Sequence, residues 1–193
     1  MLAKVYSSAV VGLDAIPIEV EVDIASQGLP NFTIVGLPDK AVEEAKERVR
    51  SAIKNSGADF PARRITVNLA PADLPKEGPS YDLPIAIGIL LASGQITADV
   101  SNLLFSGELA LDGRLRPVLG ILPQVLLAQK QGWQGFFVPE ENAREAAIIN
   151  SVNVYPTPTL LSLFHHLTKQ KIITPADPTI FDEEEQSFEF DMK

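Results

Sequence analysis

The sequence predicts an α+β domain, a mixed β-sheet layered with helices, on three observations. Residues 16–25 alternate Ile18, Val20, Val22 and Ile24 with Glu19, Glu21, Asp23 and Ala25, the period-two pattern of a strand with one wet face. Residues 39–55 place Val42, Ala45, Val49 and Ala52/Ile53 on one stripe at helical spacing. Residues 68–93 leave a strand, cross a loop punctuated by Pro and Gly, and enter a helix that is apolar on every face. Leu83, Ile85, Ala86, Ile87, Ile89, Leu90 and Leu91 line that helix, so it must be buried all round. Gly88 within it lowers helix propensity and marks a close approach of a neighbour.

The remaining elements follow in order. Residues 4–11 read as a first strand and 31–35 as a third, ended by Gly36. Asp39 is the N-cap of the first helix and Gly57 its stop. Residues 64–70 make a fourth strand, and 103–111 with 114–118 a hairpin about Asp112-Gly113, which supplies the positive φ of a tight turn. A helix over 122–131 closes at Gly132. A strand (135–139), a helix (142–149), a strand (152–155) and a last helix (159–169) complete the order. Residues 1–173 form one domain, a size that permits a substantial core. From Thr174 on, Pro175, Pro178 and an acidic run mark a linker, 174–193.

Composition narrows the function classes. The 193 residues include no Cys, which removes disulfides, thiolate metal sites and a Cys nucleophile, and fits a cytoplasmic, reducing setting. Asp14 interrupts the first residues before a signal-peptide core forms, and no run reaches the roughly 20 apolar residues of a membrane span. Of the net charge of −9, −6 falls in residues 177–193. An acidic chain is a poor general nucleic-acid binder, because phosphate neutralisation dominates that affinity; a local basic patch stays open. There is neither a Gly-x-x-x-x-Gly-Lys-Ser/Thr loop nor a Gly-x-Gly-x-x-Gly, so nucleotide binding lacks its usual sequence devices.

Candidate chemistry gathers at the mouth of the apolar helix, Lys76-Glu77-Gly78-Pro79-Ser80. A helix mouth offers unpaired N–H groups and a positive dipole end to an anion, an oxyanion or a capping side chain, and Asp82 in the first turn complements the dipole. Ser80 is the candidate nucleophile, with Lys76 near in sequence as a base. The plainer reading is that Ser80 caps the helix. Arg48, Arg50, Arg63 and Arg64 are the candidate phosphate contacts. Glu43, Glu44 and Glu47 interleave with the first two, as on a solvated helix face, whereas Arg63-Arg64 has only Asp59 nearby. His165 and His166 are adjacent on a helix and do not share a face, so they read as surface or half-buried imidazoles rather than as a metal pair.

Three segments carry a family resemblance: GLDAIPIEVEVDIASQGLPNFTIVGLPDKAVEEAKERVRSAI, RITVNLAPADLPKEG and DLPIAIGILLASGQ. They resemble the amino-terminal domain of the ComM/YifB group of magnesium-chelatase-like AAA+ ATPases, over roughly residues 1–170. The resemblance implies a Lon-protease-like fold placed ahead of an AAA+ ATPase domain. It also implies hexameric, ATP-driven branch migration of DNA in recombination and natural transformation. On that reading ATP and Mg belong to an ATPase domain beyond this chain, with self-association and DNA as partners and no membrane. Gly78-Pro79-Ser80 resembles the Gly-Pro-Ser triplet of the Lon nucleophile. Residues 117–122, PVLGIL, resemble the Pro-x-Gly-Gly-Leu-Lys stretch that carries the Lon Lys, and here Leu122 stands at the Lys position. No Lys lies between Lys76 and Lys130, so a slip of one or two residues does not restore the amine.

Three expectations follow. The first is a non-catalytic module of a DNA-processing ATPase, with Ser80 vestigial. The second is a Ser-Lys peptidase using Ser80 and Lys76. The third is a scaffold without nucleic-acid contact.

Overall fold

The computed structural model describes residues 1–179. In chain order the elements are β1 (Leu2–Val11), β2 (Asp14–Ile24), β3 (Asn31–Val35), α1 (Lys40–Asn55), β4 (Arg64–Ala70), α2 (Asp82–Ala92), β5 (Leu103–Phe105), β6 (Glu108–Leu109), β7 (Leu115–Arg116), α3 (Ile121–Gln131), β8 (Gly135–Pro139), α4 (Ala143–Ala146), β9 (Asn153–Thr157) and α5 (Leu160–Leu167). A seven-stranded mixed sheet runs β3-β4-β2-β1-β5-β8-β9, and β6-β7 form a separate small hairpin.

β1 and β2 pair antiparallel along their whole length, from Leu2↔Asp23 to Val11↔Asp14, about the Gly12-Leu13 turn. Gly12 has φ +64°, a conformation that favours glycine. The alternation read in β2 is realised: Ile18, Val20, Val22 and Ile24 are buried, while Lys4 bonds Glu19 at 2.7 Å on the opposite face. β3 and β4 are parallel, so their link must cross over the sheet, and α1 is that crossover. Asp39 caps α1 through Oδ1, which accepts from the Val42 N–H at 2.7 Å, and every residue of the predicted apolar stripe is buried.

Helices cover both faces. α1, α2 and α5 pack with β2 and β4 in one apolar cluster, and α3 and α4 pack with Leu104, Phe136 and Val154 in the other. All of α2 is buried except Leu91, which is half-buried. Its Gly88 is a packing residue, because a Cβ there would lie 2.5 Å from Cγ2 and 3.3 Å from Cβ of Val22. Val22 is β-branched and held in the ladder, so it has little room to give.

Elsewhere the observed elements differ from expectation for local reasons. The strand expected over 103–111 breaks at Ser106-Gly107. The Ser106 N–H donates to Phe137 O (3.1 Å), the Gly107 N–H to Ser80 O (3.0 Å), and the Leu83 N–H to Gly107 O (3.1 Å). The chain leaves the sheet there to hold the mouth of α2, and the hairpin about Asp112-Gly113 shrinks to two residues per strand. The helix expected over 142–149 is only α4, preceded by a 3-10 turn at Glu140–Asn142. His165 and His166 are half-buried in the last turn of α5, as read from their adjacency. His166 Nδ1 accepts from the Ile173 N–H at 2.9 Å, and burial holds its pKa below the ordinary value. At the start of the expected linker the chain stays on the domain: the Ala176 N–H donates to Val154 O (2.8 Å) and the Thr179 N–H to Ala147 O (3.0 Å). The rest of that linker, 180–193, lies outside the described residues.

Replacing Gly88 with Ala adds helix propensity but overpacks the contact with Val22. The expected net effect is a loss of about 1–2 kcal/mol, read from the midpoint of urea unfolding at unchanged m.

Candidate functional site

Asp39 links two stretches that are distant in sequence. While Oδ1 caps α1, its Oδ2 accepts from the Gly78 N–H at 3.1 Å. Beside it, the Asp39 N–H donates to Lys76 O (3.0 Å) and the Lys76 N–H to Leu37 O (3.1 Å), a short parallel bridge that fixes the loop before α2. Gly78 then takes φ +78°, a turn that favours glycine, and Pro79–Tyr81 wind a 3-10 turn into α2.

Ser80 lies within that turn and does not cap the helix. Tyr81 occupies the N-cap position of α2, and no side chain among the described residues caps it. The expectation of a capping serine is therefore corrected: Gly107, whose carbonyl takes the Leu83 N–H, does the work expected of a cap. The same contact removes one of the N–H groups that the open-mouth reading offered to an anion.

Asp82 is likewise more than a complement to the helix dipole. It is fully buried, and Arg48 of α1 grips it with two bonds, Nε to Oδ2 at 2.6 Å and Nη2 to Oδ1 at 3.0 Å. The Leu109 N–H adds a third bond at 3.1 Å, and Arg48 Nη2 also donates to Ala41 O at 2.9 Å. Burial pushes the Asp82 carboxyl up to about 6, with Arg48 and the Leu109 N–H pulling it down, and Asp82 in turn holds the Arg48 guanidinium above its ordinary pKa. Burial outweighs pairing for the carboxylate. Arg48, read as part of a solvated helix face, is instead a structural ion-pair partner.

The other three arginines stand apart from this pair. The Arg50 guanidinium lies over the Phe60 ring, 5.2 Å from its centroid, with Nε buried and unbonded. Arg63 and Arg64, at the start of β4, are exposed and have no ion-pair partner among the described residues.

In front of Ser80 opens a cavity of about 850 Å³. One wall is Ser8–Val11 of β1, another Leu74, Pro75 and Glu77–Tyr81, and the third Pro117–Leu119 with Gln124 of α3. Ser8 donates its hydroxyl to Gln124 Oε1 at 3.1 Å, so these two polar side chains satisfy each other. Asn142 pins the third wall, accepting from the Val118 N–H (2.9 Å) and donating to Val118 O (3.0 Å). Asp39, Glu77 and Glu108 line the cavity, and among the described residues no Lys or Arg does.

The elements of a Ser-Lys dyad are not assembled here. Lys76 is fully buried, donates from Nζ to Pro71 O, and is not a lining residue; burial holds its amine below the ordinary pKa. No hydrogen bond joins it to Ser80 among the described residues. Leu122 lies outside the cavity in the first turn of α3, its N–H donating to Glu145 Oε1 at 3.2 Å. A hydroxyl without a base is a poor nucleophile.

Sequence reading missed the Arg48–Asp82 pair and the Ser8–Gln124 pair. One signal for the first was present: an acid opening a helix that is apolar all round must itself be buried, and a buried carboxylate needs a cation and N–H donors. Its partner, 34 residues away, is decided by how α1 packs on α2.

Two outcomes are expected. Arg48→Ala leaves Asp82 buried without its cation and costs about 3 kcal/mol. An acid whose folded pKa lies above its unfolded value contributes stability that is present at low pH and lost as pH rises through the folded pKa, here about 6. Removing Arg48 raises that pKa further, so the loss measured by urea unfolding is larger at pH 8 than at pH 5. For Ser80, a fluorophosphonate probe labels the wild-type chain no more than Ser80→Ala, as read by intact-mass spectrometry.

The chain is 50% identical over 171 residues to "Competence protein ComM" of Haemophilus influenzae, covering 88% of this chain and 33% of that protein. It is 53% identical over 152 residues to "Uncharacterized protein YifB" of Salmonella typhimurium, covering 77% of this chain and 29% of that one. A more distant similarity, 28% identity over 161 residues, joins it to a Lon protease of Mycolicibacterium smegmatis, with 77% of this chain and 20% of that protein covered. The chain thus spans about a third of the length of the ComM relative. The family model described as "Subunit ChlI of Mg-chelatase" matches residues 20–142, a span that holds β3, β4, β5, β8 and the Gly78-Pro79-Ser80 turn, and the chain belongs to the Mg-chelatase ChlI family.

Proposed function

We propose that this chain acts as the amino-terminal, Lon-protease-like domain of a ComM/YifB-type AAA+ ATPase. On this reading residues 1–173 form a module that has kept a peptidase-like architecture without its catalysis, and 174–193 lead toward the ATPase domain. The whole protein would then work in the cytoplasm as a ring, hexameric by resemblance, that drives branch migration of DNA in recombination and natural transformation. The observation that carries the reading is the 50% identity, over 88% of this chain, to a protein named for competence. The chain itself offers ATP no phosphate loop, and no group of three or more metal-ligating side chains occurs among the described residues. On this reading ATP and Mg belong to the ATPase domain. Among the described residues no helix is long and apolar enough to cross a membrane.

Within such a ring, this domain would support assembly and present phosphate contacts. Of the four candidate arginines, Arg63 and Arg64 suit that role best, since Arg48 is committed to Asp82 and Arg50 lies over Phe60. A weak two-arginine patch on one subunit gains from repetition around a ring, because each contact raises the effective concentration of the next.

The test is fluorescence anisotropy of residues 1–193 with forked and duplex DNA across a salt series. Binding should weaken with salt, and Arg63→Ala/Arg64→Ala should weaken it at every sequence and make the log–log salt slope shallower by about 2. No binding at low salt would leave the domain as an assembly module and assign DNA handling to the ATPase.

A further inference from the structure

Beyond Tyr6 the edge of β1 that faces β5 is open, and the cavity lies along it. Val11↔Asp14 closes a two-residue hairpin, which makes it a hydrogen-bonded pair, and the pairs alternate from there: Ala9↔Ile16 is bonded and Ser8↔Pro17 is not. Pro17, with no N–H to donate, fits the non-bonded position. The N–H and C=O of Ser8 and Val10 therefore point away from β2. On that side the ladder to β5 comprises the single pair Tyr6↔Leu104. Two residues per step further along, the backbone of Val10 has no hydrogen-bond partner among the described residues. Ser8–Val11 line the cavity, Leu119 stands across from them 94% exposed, and among the described residues the only charged groups in the lining are Asp39, Glu77 and Glu108.

We propose that the cavity binds an extended peptide segment bearing apolar side chains and a Lys or Arg, which adds to the Ser8–Val11 edge of β1 as a further strand. An exposed strand edge supplies main-chain hydrogen bonds that any extended segment can take, and the pockets beside it select the side chains. Val10, Val11 and Leu119 form the apolar pockets. Glu108 is paired with Arg116 at 3.2 Å, which leaves the Glu77 carboxylate, without an ion-pair partner among the described residues, to draw the cation and repel phosphate, so this site takes a polypeptide and not nucleic acid. The site uses the architecture of a peptidase for capture without cleavage, since no base reaches Ser80. The inference rests on the β1 edge and the cavity lining, and is independent of the DNA reading above.

The probe is a fluorescein-labelled peptide of about ten residues, a common upper strand length, alternating Val and Thr and ending in two Lys, titrated with the chain and read by anisotropy. Saturable binding is expected. Val10→Pro removes the outward N–H without touching the β2 ladder, and should weaken binding about tenfold, the effect of one ladder bond. Circular dichroism checks the fold of that variant. N-methylation of alternate peptide amides tests the same bonds from the ligand side and should weaken binding similarly in the unmodified chain. Glu77→Gln, or Glu for Lys in the peptide, should weaken it as well. Absence of saturable binding would overturn the proposal, as would binding indifferent to both Val10→Pro and N-methylation. Displacement of the peptide by duplex DNA would also overturn it, in favour of a nucleic-acid site.

Discussion

Asp82 is a carboxylate with no route to water, and much of the structure around the candidate site follows from satisfying it. Its three hydrogen bonds come from two separate parts of the chain: the Arg48 guanidinium on α1 with two, and the Leu109 N–H on β6 with one. To deliver the first, α1 must lie against α2 with its Arg48 turned inward. To deliver the second, the chain after β5 must leave the sheet at Ser106-Gly107. That departure also brings the Gly107 carbonyl to the Leu83 N–H, closing the mouth of α2. A buried carboxylate costs several kcal/mol unless such partners are present. The helix pair and the hairpin are therefore coupled through one side chain, and a defect in either is felt by the other.

The site built on this frame has a backbone suited to handling a peptide and side chains unsuited to cutting one. Gly78-Pro79-Ser80 is held at the cavity by Asp39, which caps α1 with one oxygen and the loop with the other. The amine that would activate Ser80 is absent in two independent ways. Lys76 is anchored to Pro71 O, and Leu122 lies in the first turn of α3, where its N–H is tied to Glu145. What the cavity keeps is shape, an open strand edge and negative charge. Its character is set apart from that of the exposed Arg63-Arg64 pair, so the proposed phosphate contacts and the proposed peptide site draw on different residues.

Patterning in the chain was informative wherever a side chain's environment depends on its near neighbours. The β2 alternation, the α1 stripe with its Asp39 cap, the all-apolar α2 and the Asp112-Gly113 turn were legible because strand and helix periods impose them locally. The tight fit at Gly88 was legible for a related reason: a glycine in a buried helix is disfavoured unless something occupies the space of its Cβ. Element ends were less legible. The break in the strand after Phe105 depends on Phe137 and Ser80, neither of which is near in sequence. The continuation of residues 174–179 along β9 and α4 depends on Val154 and Ala147 carbonyls that composition does not reveal.

By itself, then, the sequence determined the layered α+β class, which helix would be buried, the absence of a phosphate loop, and that Leu122 stands where the resemblance to Lon implies a Lys. Each of these is carried by residue identity or by spacing within one element. The tertiary structure alone decided that Arg48 faces inward while Arg63 and Arg64 face out, that Ser80 lines a cavity rather than caps a helix, and that β1 keeps an open edge beside it. These are properties of residues brought together from distant parts of the chain. Charge and hydrogen-bonding capacity are written in the sequence, but the partner that satisfies them is chosen only when the layers pack.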